Sequence, residues 1–145
     1  VLIIDCDLRR PSLAKRFNIP ESQPGLTNIL TMDTAIKDCI VRIDDANLDV
    51  LPAGLIPPTP QELLASNRFK KLLDHFQDKY DRIIIDTPPL LSVSDALILG
   101  QYANGLITVI RSESTKASLV NVALSKQIQH SIPSLGVLIT QAKAK

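Results

Sequence analysis

The chain has 145 residues and a net charge of +1, from 16 basic and 15 acidic side chains, and 45% of its residues are hydrophobic. This length and composition suit one globular domain spanning 1–145. The charges form no long basic run, which argues against nucleic-acid binding and against a polybasic membrane patch. Cys6 and Cys39 lack metal-ligand spacing and are expected to be free thiols in a reducing compartment. No apolar run approaches the roughly 18 residues needed to span a bilayer, so this piece is expected to be soluble and cytoplasmic.

Apolar runs alternate with helical patterns along the chain. Three of the five runs are nearly continuous Val, Ile and Leu, which is typical of strands covered on both faces. The alternation predicts an α/β fold with a mainly parallel sheet flanked by helices. The predicted strands are 1–5, 48–54, 82–88, 106–110 and 136–140. The predicted helices are short pieces within 20–47, then Thr59–Tyr80, Ser94–Tyr102 and Ser114–Ser131.

Two of the helices carry detailed expectations. Thr59 is expected to cap the helix Thr59–Tyr80, with Pro60 at the first helical position and Glu62 completing a capping box. In the helix Ser114–Ser131, Ile128 is expected to point inward together with Val120, Ala123 and Leu124. Because apolar strands lie at or near both ends, the sequence is interpreted as a fragment truncated at the N-terminus and also at the C-terminus.

The stretch VLIIDCDLRR places two carboxylates at the end of the first strand. The period of a strand puts Asp5 and Asp7 on one side, at the carboxyl edge where open α/β sheets bind ligands. Such a pair is typical of a Mg²⁺ or proton-transfer site, with Arg9 or Arg10 available for a phosphate. The alternative is that Asp7 begins a turn, the arginines are a solvated face, and only Asp5 matters.

The stretch RIIIDTPP ends a second apolar strand in Asp86, followed by Thr87 and two prolines. Nucleotide hydrolases and kinases with a P-loop present the acidic residue that holds Mg²⁺ in this way, directly or through water. A single strand ending in Asp is weak evidence, because many α/β proteins use Asp there to cap a turn. Two such strands in one chain carry more weight.

Four segments together resemble the cytoplasmic kinase domain of bacterial tyrosine kinases, which partner exopolysaccharide and capsule chain-length regulators. VLIIDCDLRRPSL resembles their modified second Walker motif, DRIIIDTPP their Walker B motif, LPAGLIPPTPQELLAS their LPAG and PPNP stretch, and QPGLTNIL the segment between. The Walker-type pieces also occur in septum-positioning and plasmid-partitioning ATPases. The PPTPQELL stretch favours the kinases.

The resemblance implies a P-loop NTPase-like fold and roles for particular residues. Asp5 and Asp7 would be the catalytic and Mg²⁺-associated acids, one of them accepting the proton of an attacking tyrosine hydroxyl. Asp86 would hold Mg²⁺, and Arg9, Asp86 and Thr87 would lie at the ATP site. The implied partners are a tyrosine-containing protein substrate, a transmembrane activator region at the cytoplasmic membrane face, and further copies of the chain.

The sequence departs from the family in four places. Thr59 stands where the family has the Asn of PPNP, a change expected to matter little because threonine can also cap a helix. No Gly-Lys pair of a Walker A loop occurs, so the P-loop strand is expected to be missing, and the resemblance places that strand between the strands of Asp5 and Asp86. Thr140 takes the place of an asparagine expected near adenine, and no tyrosine-rich tail is present. The open alternatives are a partitioning-type ATPase switch and a non-catalytic interaction domain.

Overall fold

A computed structural model describes residues 1–143 as six strands, seven α-helices and one short 3-10 helix, Asp44–Ala46. The strands are β1 Leu2–Asp5, β2 Val41–Ile43, β3 Leu48–Leu51, β4 Ile83–Asp86, β5 Leu106–Arg111 and β6 Ser134–Thr140. The helices are α1 Leu13–Arg16, α2 Leu26–Met32, α3 Ile36–Cys39, α4 Pro60–Leu64, α5 Asn67–Gln77, α6 Asp95–Gly100 and α7 Ala117–Gln129. Within 1–143, every helix falls short of the length and apolar character needed to span a membrane.

The strands form two sheets. The larger has the order β2-β3-β1-β4, in which β1 runs parallel to β3 and β4 while β2 is an antiparallel edge; the smaller pairs β5 with β6 in parallel. All five predicted strands are confirmed, and so is the α/β class. The three-residue β2 was not predicted, because so short a run carries no readable periodicity.

The expectation of a strand between those of Asp5 and Asp86 is wrong. Strands β1 and β4 pair directly, in continuous register from Leu2 opposite Ile83 to Asp5 opposite Asp86. Because neighbouring strands lie about 4.8 Å apart, a third strand has no space between them. The other edges of β4 and β5 carry no strand among residues 1–143.

Different elements pack against the two faces of the larger sheet. One face places Leu2, Ile4 and Leu51 in a core with residues of α2, α4, α5 and α6, including Phe69 and Phe76, which are fully buried. The other face packs Ile3 and Val50 against Leu13 of α1 and Ile19. Asp5 and Asp86 alternate onto this second face, so they lie on the side of the short helix α1.

The predicted helix Thr59–Tyr80 is two helices, interrupted at Ala65 and Ser66. Thr59 makes no side-chain capping hydrogen bond, so its predicted capping role is wrong. Ser66 instead caps α5, its Oγ accepting from the backbone N–H of Phe69 at 3.3 Å. The apolar stripe of the second half is confirmed, since Phe69, Leu72, Leu73 and Phe76 are all buried.

The C-terminal part is less covered than the sequence predicts. Ile128 is 76% exposed rather than inward, and Gln127 is buried in its place, donating to the carbonyl oxygen of Ile132. Strand β6 is largely exposed as well, although its apolar run predicts burial on both faces. A two-stranded sheet offers few neighbours, so this apolar surface has little to pack against within residues 1–143.

The segment after β3 docks on the start of α2. The carbonyl oxygens of Pro52 and Ala53 accept from the first N–H groups of that helix, on Leu26 and Thr27, at 2.8 and 2.9 Å. Gly25 approaches so closely that a Cβ there would lie 2.1 Å from the Pro52 oxygen. The LPAG and PGLT stretches are therefore one interlocked unit, which accounts for the small residues in both.

Candidate active site

Asp5 is fully buried and holds the loop that follows β1. Its Oδ2 accepts from the backbone N–H groups of Ser12 and Leu13, both at 3.0 Å, and its Oδ1 accepts from that of Asp7 at 3.2 Å. Burial raises the pKa of the Asp5 carboxyl, although these three hydrogen bonds lower it. Both oxygens are thus engaged by the protein's own backbone, and one function of Asp5 is to shape the loop.

Asp7 is half-buried at the next outward position. Its Oδ1 accepts from the backbone N–H groups of Arg9 at 3.3 Å and Arg10 at 2.9 Å. Within residues 1–143, the hydrogen bonds to this carboxylate all end on Oδ1. Asp7 therefore both begins a turn and keeps Oδ2 available to a ligand.

Asp86 ends β4 beside Asp5. Burial raises the pKa of the Asp86 carboxyl, the charges of Asp5 and Asp7 raise it further, and Arg16 opposes them. The peptide groups are linked too, since the Cys6 N–H donates to the Asp86 carbonyl oxygen at 2.9 Å. Thr87 follows, its hydroxyl donating to the Pro88 carbonyl oxygen at 3.0 Å. The structure thus places the three predicted acids at one sheet edge.

Arg9 is bound within the protein. Its Nε and Nη2 donate to the two carboxylate oxygens of Asp95, at 2.9 and 3.1 Å. Asp95 is fully buried, whereas the Arg9 side chain keeps 39% of its surface exposed. This two-point contact raises the pKa of the guanidinium. Arg10 is exposed. A phosphate contact by Arg9 stays a prediction, and its observed partner is Asp95.

The donor set suits a hard cation only in part. Within 1–143, no group of three or more His, Cys, Asp or Glu side chains is arranged to hold a metal ion. A cation beside Asp7 and Asp86 would nonetheless offset the repulsion that raises the Asp86 pKa. Since Asp5 already accepts three backbone hydrogen bonds and Asp7 has only Oδ2 left within residues 1–143, the residue that fits Mg²⁺ best is Asp86.

Comparison with known proteins decides the family. A family model described as an AAA domain matches residues 1–131. The VpsO kinase domain superposes with a TM-score of 0.94 at 41% identity, over 98% of this chain and 70% of that one. The chain belongs to the bacterial tyrosine kinase family.

Curated relatives of this kinase-family chain agree. It is 38% identical to the tyrosine-protein kinase Ptk of Acinetobacter johnsonii over 96% of its residues, and 42% identical to YwqD of Bacillus subtilis, also named a tyrosine-protein kinase, over 80%. It spans 19% of the length of the first and 48% of the second. The cell division ATPase MinD of Pyrococcus furiosus matches at 19% identity with a TM-score of 0.73, which shows a shared fold alone.

Sequence reasoning missed Asp95. The residue starts a short predicted helix in SVSDALIL, and its partner Arg9 is 86 positions away. A buried aspartate requires a partner, because an uncompensated charge in a protein interior is costly. Nothing local in the sequence reveals that Asp95 is buried, so this signal becomes readable only once the fold is known.

Proposed function

We propose that the protein is an ATP-dependent protein tyrosine kinase, to which this chain contributes part of a single kinase domain. The observation that supports this most is the meeting of Asp5, Asp7 and Asp86 at the ends of two adjacent parallel strands. Phosphoryl transfer depends mainly on positioning the reactants and on neutralising phosphate charge. Acidic residues at such an edge can hold the Mg²⁺ that neutralises this charge. The identity to a solved kinase domain supports the same reading.

The hydrogen bonds of the acids indicate a different role for each. Asp5 shapes the loop, because both of its oxygens accept from backbone N–H groups. Asp7 is the group that takes the proton from the attacking tyrosine hydroxyl, because its Oδ2 has no donor among residues 1–143. A carboxylate with one oxygen fixed and the other free keeps its orientation while reaching a substrate proton.

Asp86 would hold Mg²⁺, with Thr87 alongside, because the one oxygen of Asp7 without a donor among residues 1–143 is assigned to the substrate proton. The ion supplies neutralisation of the phosphate charge when bound. The Walker A loop that would cradle the phosphates of ATP is not in this sequence, since no Gly-Lys pair occurs. The strand leading into that loop would run along the free edge of β4.

The wider setting follows from the same proposal. The substrate would be a tyrosine-containing protein, including other copies of the kinase, and the complete protein would act at the cytoplasmic face of the membrane with a transmembrane activator region, in exopolysaccharide or capsule production. The tyrosines of this chain are poor acceptors of a phosphoryl group. Tyr80 donates to Asp49 at 2.6 Å and Tyr102 to the Leu64 carbonyl oxygen at 3.2 Å, so neither hydroxyl is free.

The test uses the complete gene product with ATP and Mg²⁺, assayed for phosphotyrosine and for ADP release. Asp7→Asn should reduce phosphotyrosine by at least about a hundredfold, the scale of a general base. Asp81→Asn is the matched control, since Asp81 is exposed just before β4. ADP release without phosphotyrosine would favour the partitioning-type ATPase instead, and neither signal would favour a non-catalytic domain.

A further inference from the structure

The Arg9–Asp95 pair joins the loop after β1 to the segment after β4. Each strand ends in one of the site's acids, and the pair connects the chain beyond those two ends. Of the ion pairs within residues 1–143, it is the one that involves this loop. Arg9 also lines an open cleft with the Pro58–Glu62 stretch and Ile98.

The position of Arg9 couples the pair to Asp7. The Arg9 side chain is held by Asp95, while its backbone N–H donates to Asp7 Oδ1. Holding the side chain by two parallel hydrogen bonds restricts the backbone of the same residue, and thereby the turn on which Asp7 sits. The fixed end of this chain of contacts is Asp95, which is fully buried in α6.

We propose that Asp95 is a positioning residue, which acts through Arg9 to hold the turn that orients the Asp7 carboxylate. The proposal rests on the proposed kinase function for its kinetic consequences. It assigns Arg9 to this bracing rather than to a phosphate of the nucleotide. Bidentate geometry gives the pair a directional constraint that a lysine, as a point charge, would not reproduce.

The kinetic test compares Asp95→Asn, Arg9→Gln, the double variant and Arg9→Lys in the complete gene product. We expect each single variant to lower kcat about tenfold or more, with the KM for ATP changed less than about twofold. The double variant should be no worse than the worse single one, because both remove the same contact. Arg9→Lys should fail to restore kcat.

Two results would overturn the proposal. One is a KM for ATP raised about tenfold by Arg9→Gln, with Arg9→Lys near wild type and Asp95→Asn without effect, which would make Arg9 a nucleotide contact. The other is an unchanged kcat in both single variants. Asp81→Asn again serves as the control.

A second readout separates this proposal from the kinase proposal. Amide hydrogen exchange of the complete gene product, without nucleotide, reports on the Arg9 and Arg10 N–H groups that donate to Asp7. Asp95→Asn should accelerate their exchange about tenfold or more, whereas Asp81→Asn should not. If wild type forms no phosphotyrosine but exchange accelerates as expected, the kinase function fails and the bracing stands. If exchange is unchanged in Asp95→Asn, the bracing fails whatever the activity.

Discussion

Asp5 and Asp86 occupy the same register position on the paired strands β1 and β4, with their peptide groups linked through Cys6. Both carboxyls have raised pKa values, in each case chiefly through burial. They differ in their surroundings, since Asp5 accepts three backbone hydrogen bonds whereas Asp86 faces the negative charges of Asp5 and Asp7. Replacing each residue by asparagine should therefore change the free energy of unfolding in opposite directions.

Asp5→Asn should destabilise the protein by about 1–3 kcal/mol. The asparagine amide group would face backbone N–H donors that now meet a carboxylate oxygen, and hydrogen bonds to charged groups contribute about this much. Asp7→Asn is the comparison, because both bonds to Asp7 end on one oxygen that an amide can retain. Urea unfolding of the two variants tests this. Equal stability would mean that the Asp5 bonds are not holding the loop, and loss of activity in Asp5→Asn would then report on chemistry alone.

Asp86→Asn should stabilise the protein at neutral pH. A carboxyl whose pKa is raised on folding is protonated more readily in the folded chain, so the free energy of unfolding falls as pH rises from the usual Asp range, near 3.9, through the raised value. Removing the charge removes that loss. The variant should resist urea better than wild type at pH 7, and the gain should shrink towards pH 4. Asp81→Asn should show neither change, and a wild type equally stable to the variant at pH 7 would contradict the expectation.

Tyr80 should titrate with a pKa of about 12. Burial is the main cause that raises the pKa of its hydroxyl, and the hydrogen bond to Asp49 raises the pKa further. Because the chain has two tyrosines and no tryptophan, Tyr102→Phe leaves Tyr80 as its only titrating phenol, observable by tyrosinate absorbance. Its contribution to stability is complete below the unfolded value near 10 and is lost as pH rises through 12.

The control for this titration replaces the hydrogen-bond acceptor. Asp49→Asn in the Tyr102→Phe background removes the negative charge beside the Tyr80 hydroxyl, so the midpoint should fall below that of the parent. Circular dichroism must show that the chain is still folded at the midpoint. A folded chain that titrates near pH 10 in both backgrounds would contradict the proposed burial and hydrogen bond.

The sequence was sufficient for what local pattern determines. Apolar runs predicted five of the six strands. The position of Asp5 and Asp86 at the carboxyl ends of parallel strands predicted their common edge, because this follows from backbone geometry. Contacts distant in sequence were not accessible. The direct pairing of β1 with β4, the burial of Asp95 and the exposure of Ile128 depend on which elements become neighbours.

Helix capping also shows that a sequence pattern does not determine the contact made, and this can be tested. Thr59 matches the sequence signature of a cap, yet makes no capping bond, whereas Ser66 accepts from the Phe69 N–H and donates its own hydroxyl to the Leu63 carbonyl oxygen at 2.7 Å. Ser66→Ala should therefore cost about 1 kcal/mol, the usual cost of a lost N-cap. Thr59→Ala should change the free energy of unfolding by less than about 0.5 kcal/mol. Chemical denaturation of both variants decides the matter, since a larger loss for Thr59→Ala would show that the Thr59 side chain caps α4 after all.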